Sequence, residues 1–301
     1  MLWIVLATVP AFLWAFTNIL DEFLAKEHFA KNGALLIFLS GVCEIVPAAF
    51  LFTVFVDTPV PLSHMLIVGG LGIILTCSFV PYIYALQLGN AKNATPIFQS
   101  IPVFVFVLGW AFLGETVTPI QMLAAAIIII SSVLIGFNFT TKSINHKAAA
   151  LMLLSSFIIG CVVVASKYFI DLYGWAVVTA YSILGSSLFC MILVSLYRPF
   201  RRKSVATLSA AGPVILFLFF LQIFQHITAL SLYNSALEIA PSAALVSTVS
   251  GSQPAFVLIL AILAGLTASQ HFPKIHFDRI LVYKFFMIGV LIFGIYLLMQ
   301  S

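Results

Sequence analysis

The sequence predicts an all-α polytopic membrane protein, with ten transmembrane helices arranged as two inverted five-helix repeats. Three observations carry that reading. Hydrophobic residues make up 63% of the 301-residue chain and charged residues only 7%, whereas a soluble domain is roughly 25% charged. Ten apolar runs reach the ~20 residues that a helix needs to cross a bilayer. One segment recurs five spans later, and an odd number of spans between copies turns the second copy upside down.

Each run has its own marks. The first, 2–20, carries a stripe of Ala7, Ala11 and Ala15 at helical spacing, suited to close helix packing. The second, 34–56, holds Glu44 three residues before Pro47, and the third, 64–86, ends through Pro81, Tyr82 and Tyr84. The fourth, 94–113, contains Pro102, and the fifth, 119–138, opens near Gln121. The sixth, 148–168, ends at Lys167, and the seventh, 175–197, stops at a basic cluster. The eighth, 212–234, carries Gln222 and His226; the ninth, 241–265, contains Pro254; the tenth is 280–299. The halves divide as 1–140 and 147–301, with short connections and no segment large enough for a soluble domain.

Composition also excludes several functions. A mean hydropathy of +1.20 leaves too little polar surface for a soluble fold. The formal charge of +4 is no nucleic-acid footprint, which needs basic residues clustered on one face. The single tight cluster, Arg198, Arg201, Arg202 and Lys203, ends an apolar run and suits anionic lipid headgroups. The bilayer is therefore a partner and nucleic acid is not. Cys43, Cys77, Cys161 and Cys190 sit inside apolar stretches without CxxC spacing and read as small buried hydrophobes. No phosphate-binding GxxxxGKS is present, so ATP is not the motor, and no metal-ligand or Ser/His/Asp spacing calls for a cofactor. The first run lacks a basic leader and a cleavage site, so it reads as a retained helix. The sequons at Asn93 and Asn138 fall at span ends and read as chance.

The repeat is visible when ALQLGNAKNATPIFQSIPVF, from Ala85 to Phe104, is laid on ALEIAPSAALVSTVSGSQPAF, from Ala236 to Phe256, with one gap. Both begin Ala-Leu, and both place a proline, Pro102 or Pro254, early in the next span, followed by a small apolar residue and phenylalanine. Inverted repeats of this kind recur in secondary transporters with a site near the midplane.

The stretch Ala85 to Gly136 resembles the EamA type of the drug/metabolite transporter superfamily. The matching features are the ALQLGNA helix end, Pro102 and Val103, FLGET at Phe112 to Thr116, and Gln121 opening a long apolar helix. The second copy departs at the FLGE position, where Ala264, Gly265, Leu266 and Thr267 stand. The resemblance implies ten spans in two repeats and a carrier of amino acids, amines or related small polar solutes, with nucleotide-sugar carriers among its relatives. It also implies both termini in the cytoplasm. Loop charges imply the opposite: 12 of the 13 basic residues fall in odd-numbered loops, and basic loops stay inside. The charges weigh more, because the arginine that relatives place after the FLGE glutamate is Thr116 here. The expected location is a plasma (inner) membrane.

Ionisable groups at membrane depth are costly and so are functional candidates. Glu44 can attract a cationic substrate group or carry a proton; the plain alternative is a protonated acid bonded to a neighbouring helix. His226 could relay a proton, imidazole being the side chain suited to that role, or could simply bridge helices, with Gln222 one turn earlier. Lys167 can contact a substrate carboxylate or snorkel to the interface. Trp14 and Asn18 share a face of the first span. Tyr82 and Tyr84 end the third span and Tyr233 and Asn234 end the eighth, positions that also suit an interfacial aromatic belt. Gln99 and Gln253 each precede a repeat proline, and prolines free a backbone carbonyl. Aromatic faces suit an amine.

The reading is a secondary active carrier of a small polar metabolite, working by alternating access and coupled to protons, as a monomer or homodimer. Its rivals are a membrane-embedded enzyme acting on lipid, with Glu44 and His226 as acid and base, and a non-transporting receptor or assembly subunit.

Overall fold

The computed structural model describes residues 1–27, 33–88, 95–137, 145–267 and 278–300. The half boundary at 140, the sequons at Asn93 and Asn138, and Lys31, Lys92, Lys142 and Lys274 lie outside the described residues.

Ten helical spans are long and apolar enough to cross a membrane. The first is α1 (Leu2–Glu27) and the second is broken into α2 (Gly33–Cys43) and α3 (Ile45–Phe55). The third is α4 (Leu62–Gln87). The fourth begins as a 3-10 turn, Thr95–Ser100, continues as α5 (Ile101–Leu108) and ends in a π turn, Gly109–Leu113. The fifth is α6 (Pro119–Gly136), the sixth α7 (His146–Tyr173) and the seventh α8 (Trp175–Leu196). A surface helix α9 (Arg198–Ala210) precedes the eighth span, α10 (Pro213–Ile239). The ninth comprises α11 (Ala243–Ser250) and α12 (Gln253–Thr267), and the tenth is α13 (Arg279–Met299).

The starts follow from capping chemistry. Four exposed N–H groups at a helix start need acceptors, and short polar side chains supply them. Thr118 and Gln121 form a reciprocal capping box with Pro119 in the first turn. Asn145 accepts from Lys147 and Ala148 backbone N–H at 3.0 and 3.3 Å, and Asp278 accepts from Leu281 N–H at 2.8 Å. Pro47 has no N–H to return to the Cys43 carbonyl, and the second span breaks at Glu44. Both repeat prolines likewise sit just past a discontinuity: the 3-10 turn before Pro102, and the Gly251–Ser252 break before Pro254.

Packing follows the repeat. Span 1 packs most extensively on span 8, and its counterpart span 6 on span 3; span 1 also packs on span 9, as span 6 does on span 4. Spans 5 and 10 pack on each other. These pairs interchange when each span is replaced by the one five positions away. Ala7, Ala11 and Ala15 are fully buried along span 1, as their spacing predicts. The departure from symmetry is the tight contact of spans 3 and 7. There Gly69 and Gly72 meet Gly185 and Ser182, and a Cβ on Gly72 or Gly185 would overlap the facing backbone.

The basic cluster does not form a loop. It lies on α9, whose Phe200, Ser204 and Leu208 share the inward face, while Arg201, Arg202 and Lys203 are exposed. Lys284, assigned by its charge to the loop before the tenth span, lies in the second turn of α13.

Candidate functional site

The break in the second span places Glu44 near mid-depth of the bundle. Its N–H still reaches the Ser40 carbonyl at 3.1 Å, and its own carbonyl accepts from Ala48 at 3.0 Å, so the chain turns without losing the span. Ser186 of α8 donates a hydrogen bond to the Glu44 carboxylate, and His226 of α10 lies within electrostatic reach. Ser186 Oγ is also 2.9 Å from the Ile183 carbonyl. One hydroxyl proton thus has two acceptors, the carboxylate and a backbone oxygen. One turn before Glu44, Ser40 donates to Gln222 Oε1 at 3.2 Å, tying span 2 to span 8.

The thiols, read in the sequence as small buried hydrophobes, are half-buried at Cys43, Cys77 and Cys161 and buried at Cys190. All four are free, yet Cys43 and Cys190 lie close enough to feel the Glu44 charge, and Cys77 is near Cys190. Polarizable sulfur therefore makes part of the wall around the carboxyl group. Among the described residues, no cluster of three or more His, Cys, Asp or Glu is arranged to hold a metal ion.

Gln222, His226 and Tyr233 sit four and seven residues apart and share one face of α10. Along that face the polar site continues into an aromatic wall. Trp14 and Tyr233 rings are 5.5 Å apart at a 51° tilt, and Tyr233 Oη lies 2.7 Å from Ser247 Oγ of α11. Asn234, on the adjoining face, donates to Thr179 Oγ1 at 2.8 Å. Spans 1, 2, 7, 8 and 9 together supply these groups.

Other candidates lie elsewhere. Tyr82 stacks on Phe98 at 4.9 Å between spans 3 and 4. Tyr84 is 60% exposed on the outer surface, and Asn18 is exposed although Trp14 is half-buried. Gln99 and Gln253 are half-buried beside their prolines. Lys167 is buried, and its Nζ is 2.7 Å from Asp171 Oδ1 on the same helix. The carbonyl that Pro102 cannot serve, that of Phe98, does not face open space: Ser156 donates to it at 3.3 Å.

Three polar features were not singled out from the sequence. Ser186, Ser40, Thr179 and Ser247 partner the predicted groups, but isolated hydroxyls in apolar runs give no signal. Asp21 lies inside α1, which runs on to Glu27; its Oδ1 is buried without a hydrogen-bond partner among the described residues, within electrostatic reach of Tyr82.

The third is Glu115. Gly114 takes a left-handed conformation at φ 66° after the π turn, where a Cβ would be strained. The chain therefore reverses, and the Glu115 carboxylate meets the start of α11. It accepts from Ser242 Oγ at 2.8 Å and from Ala243 N–H at 2.9 Å. A carboxylate at a helix N-terminus is favoured by both the free N–H groups and the dipole. The FLGE residues of one half thus cap the ninth span in the other half. The corresponding place in the second half has Gly265, Leu266 and Thr267, so the repeat holds no second carboxylate there.

Comparison with known proteins agrees with this architecture. Residues 1–137 match the profile of the EamA-like transporter family. A solved crystal structure shares the fold with a TM-score of 0.71 at 15% identity, covering 98% of this chain and 94% of its own. No curated protein matches the sequence.

Proposed function

We propose, from the match of residues 1–137 to the EamA-like transporter family together with the site geometry, that the chain is a secondary carrier of a small polar solute bearing a cationic group. The observation that carries this is the Glu44 node, a carboxylate at mid-depth joined by Ser186 and His226 from the other half.

The two halves, residues 1–140 and 147–301, rock against each other and expose the node alternately to either side of a plasma membrane. The rings of Tyr233, two turns along α10 from His226, and of Trp14 beside it attract cations and lie on the path of a cationic amine to Glu44. When the site holds no substrate, a proton takes its place on Glu44. The protonated carboxyl then donates to Ser186 Oγ, and Ser186 donates to the Ile183 carbonyl. Proton and cation therefore compete, which is the minimum an antiporter requires. His226 serves as the route by which the proton leaves. Lys167 is left outside the site, because Asp171 already neutralises it. Mid-depth placement also argues against a lipid-modifying enzyme, which needs its acid and base at headgroup level.

The test is reconstitution into liposomes under an imposed pH gradient, with flux of labelled amines and amino acids followed without ATP. Uptake driven by the gradient supports the carrier; absence of flux for every solute tried counts against it.

A further inference from the structure

The membrane-facing surface beside α9 carries a feature that the carrier reading does not use. Phe189, Ile192, Leu193, Leu196 and Tyr197, near the end of α8, line a shallow, open apolar groove on the outside of the bundle. Ile192 and Leu196 are 58% and 77% exposed, so the groove opens toward lipid. Immediately beyond it the chain turns at Tyr197 into α9, with the Phe200 and Arg201 N–H groups bonded back to the Tyr197 carbonyl at 3.0 and 3.1 Å.

That turn is rigidly held. Tyr197 stacks on Phe200 at 5.8 Å, and Phe200 meets Phe38 of α2 at 5.7 Å. The inward face of α9 is therefore fixed against the bundle, while Arg198, Arg202 and Lys203 are exposed, in the helix that begins directly after Tyr197, the last residue lining the groove. Arg201 is anchored as well, donating to the Ser195 carbonyl at 3.3 Å. From Leu172 to Leu237 the sequence contains no aspartate or glutamate, so no nearby acid along the chain neutralises the cluster.

We infer that this turn is a binding site for one anionic phospholipid, its phosphate held by the α9 cations and one acyl chain laid in the α8 groove. Neither half suffices alone. A basic patch without the groove would take any anion, and a groove without the patch would take any lipid chain. The occupant is a lipid and not a free phosphate because the apolar groove ends at Tyr197, directly before the cationic helix, so an acyl chain and a phosphate can be met side by side. Basic residues at a membrane surface each favour anionic lipid, and two of them suffice for about a tenfold preference.

The experiment is native mass spectrometry of the full chain in micelles containing equal amounts of phosphatidylglycerol and phosphatidylcholine of the same chain length. One phosphatidylglycerol should be retained in about tenfold excess over phosphatidylcholine. Arg202→Gln with Lys203→Gln, both exposed, should reduce that preference to near unity. Leu196→Trp, which fills the groove from an exposed position, should release long-chain phosphatidylglycerol with the cations intact. Thermal unfolding of both variants in plain detergent should match the parent chain. Equal retention of the two lipids would overturn the site. So would displacement of the lipid by millimolar inorganic phosphate, or unchanged binding in Leu196→Trp, since each removes the acyl chain from the recognition.

Discussion

Glu115 caps the ninth span across the boundary between the halves, its carboxylate accepting the Ala243 N–H at 2.9 Å and the Ser242 hydroxyl at 2.8 Å. The glutamate of the FLGE motif is thus a joint between repeats on the face that carries both termini. Hydrogen bonds to a charged group contribute about 1.5–3 kcal/mol each before solvent exposure reduces them. Glu115→Ala should lower the midpoint of thermal unfolding in detergent, with a cost of about 1–2 kcal/mol. Glu115→Gln, which still offers an acceptor, should lose less. Equal loss in both variants would show that charge and not capping geometry holds the joint.

The crossing of spans 3 and 7 depends on absent side chains. A Cβ on Gly72 would overlap the Ser182 carbonyl, and one on Gly185 the Gly69 carbonyl. Gly72→Ala and Gly185→Ala should each destabilise by about 1–3 kcal/mol through overpacking. Gly70→Ala and Gly289→Ala, where nothing lies within 4 Å, should change the unfolding midpoint little. Similar behaviour of all four would mean that the helices simply move apart.

Much of this fold was legible. Ten spans and the five-span offset of the repeat follow from hydropathy and one internal match, whereas the break at Glu44 shows only in the structure, where Pro47 accounts for it. The packing partners did not follow, because period and hydropathy say that a face is apolar without saying which helix it meets. Glu44, Gln222 and His226 were visible as polar groups in apolar runs, and Tyr233 with Trp14 as aromatic ones. Ser186 was not: serines in spans usually bond their own helix, as Ser182 does to Thr179 at 3.1 Å. Asp171, one helical turn from Lys167, gives that lysine a partner of its own. Glu115 was legible as part of a family motif, but its role depends on a reversal at Gly114 that brings distant sequence together.

Orientation can be checked directly. With basic loops inside, a cysteine replacing Arg201 in a chain cleared of its own thiols should resist an impermeant maleimide in intact cells. One replacing Ser301 should label. The reverse pattern would place both termini in the cytoplasm, as in relatives, and would show that loop charge does not set the topology here.

Lys167 provides a control on the boundaries of the site. Its side chain is one-tenth exposed and paired to Asp171, which is 51% exposed, and such pairs at four-residue spacing contribute under ~1 kcal/mol. Lys167→Met should leave solute flux within about twofold of the parent chain and shift unfolding only slightly. Loss of flux confined to carboxylate-bearing solutes would bring Lys167 back as a substrate contact.

The central claim is that Glu44 holds proton and cationic solute in turn, and the pH dependence of flux through Glu44→Gln in proteoliposomes tests it most directly. In the parent chain a falling pH should raise KM for a cationic solute, because protons occupy the carboxylate, and an imposed pH gradient should drive uptake. Glu44→Gln keeps the shape and the hydrogen bond from Ser186 but cannot take up a proton, so it should lose gradient-driven uptake and show a flat pH profile. Wild-type flux with an unchanged pH profile in Glu44→Gln would contradict the account and reduce Glu44 to a packed, neutral side chain.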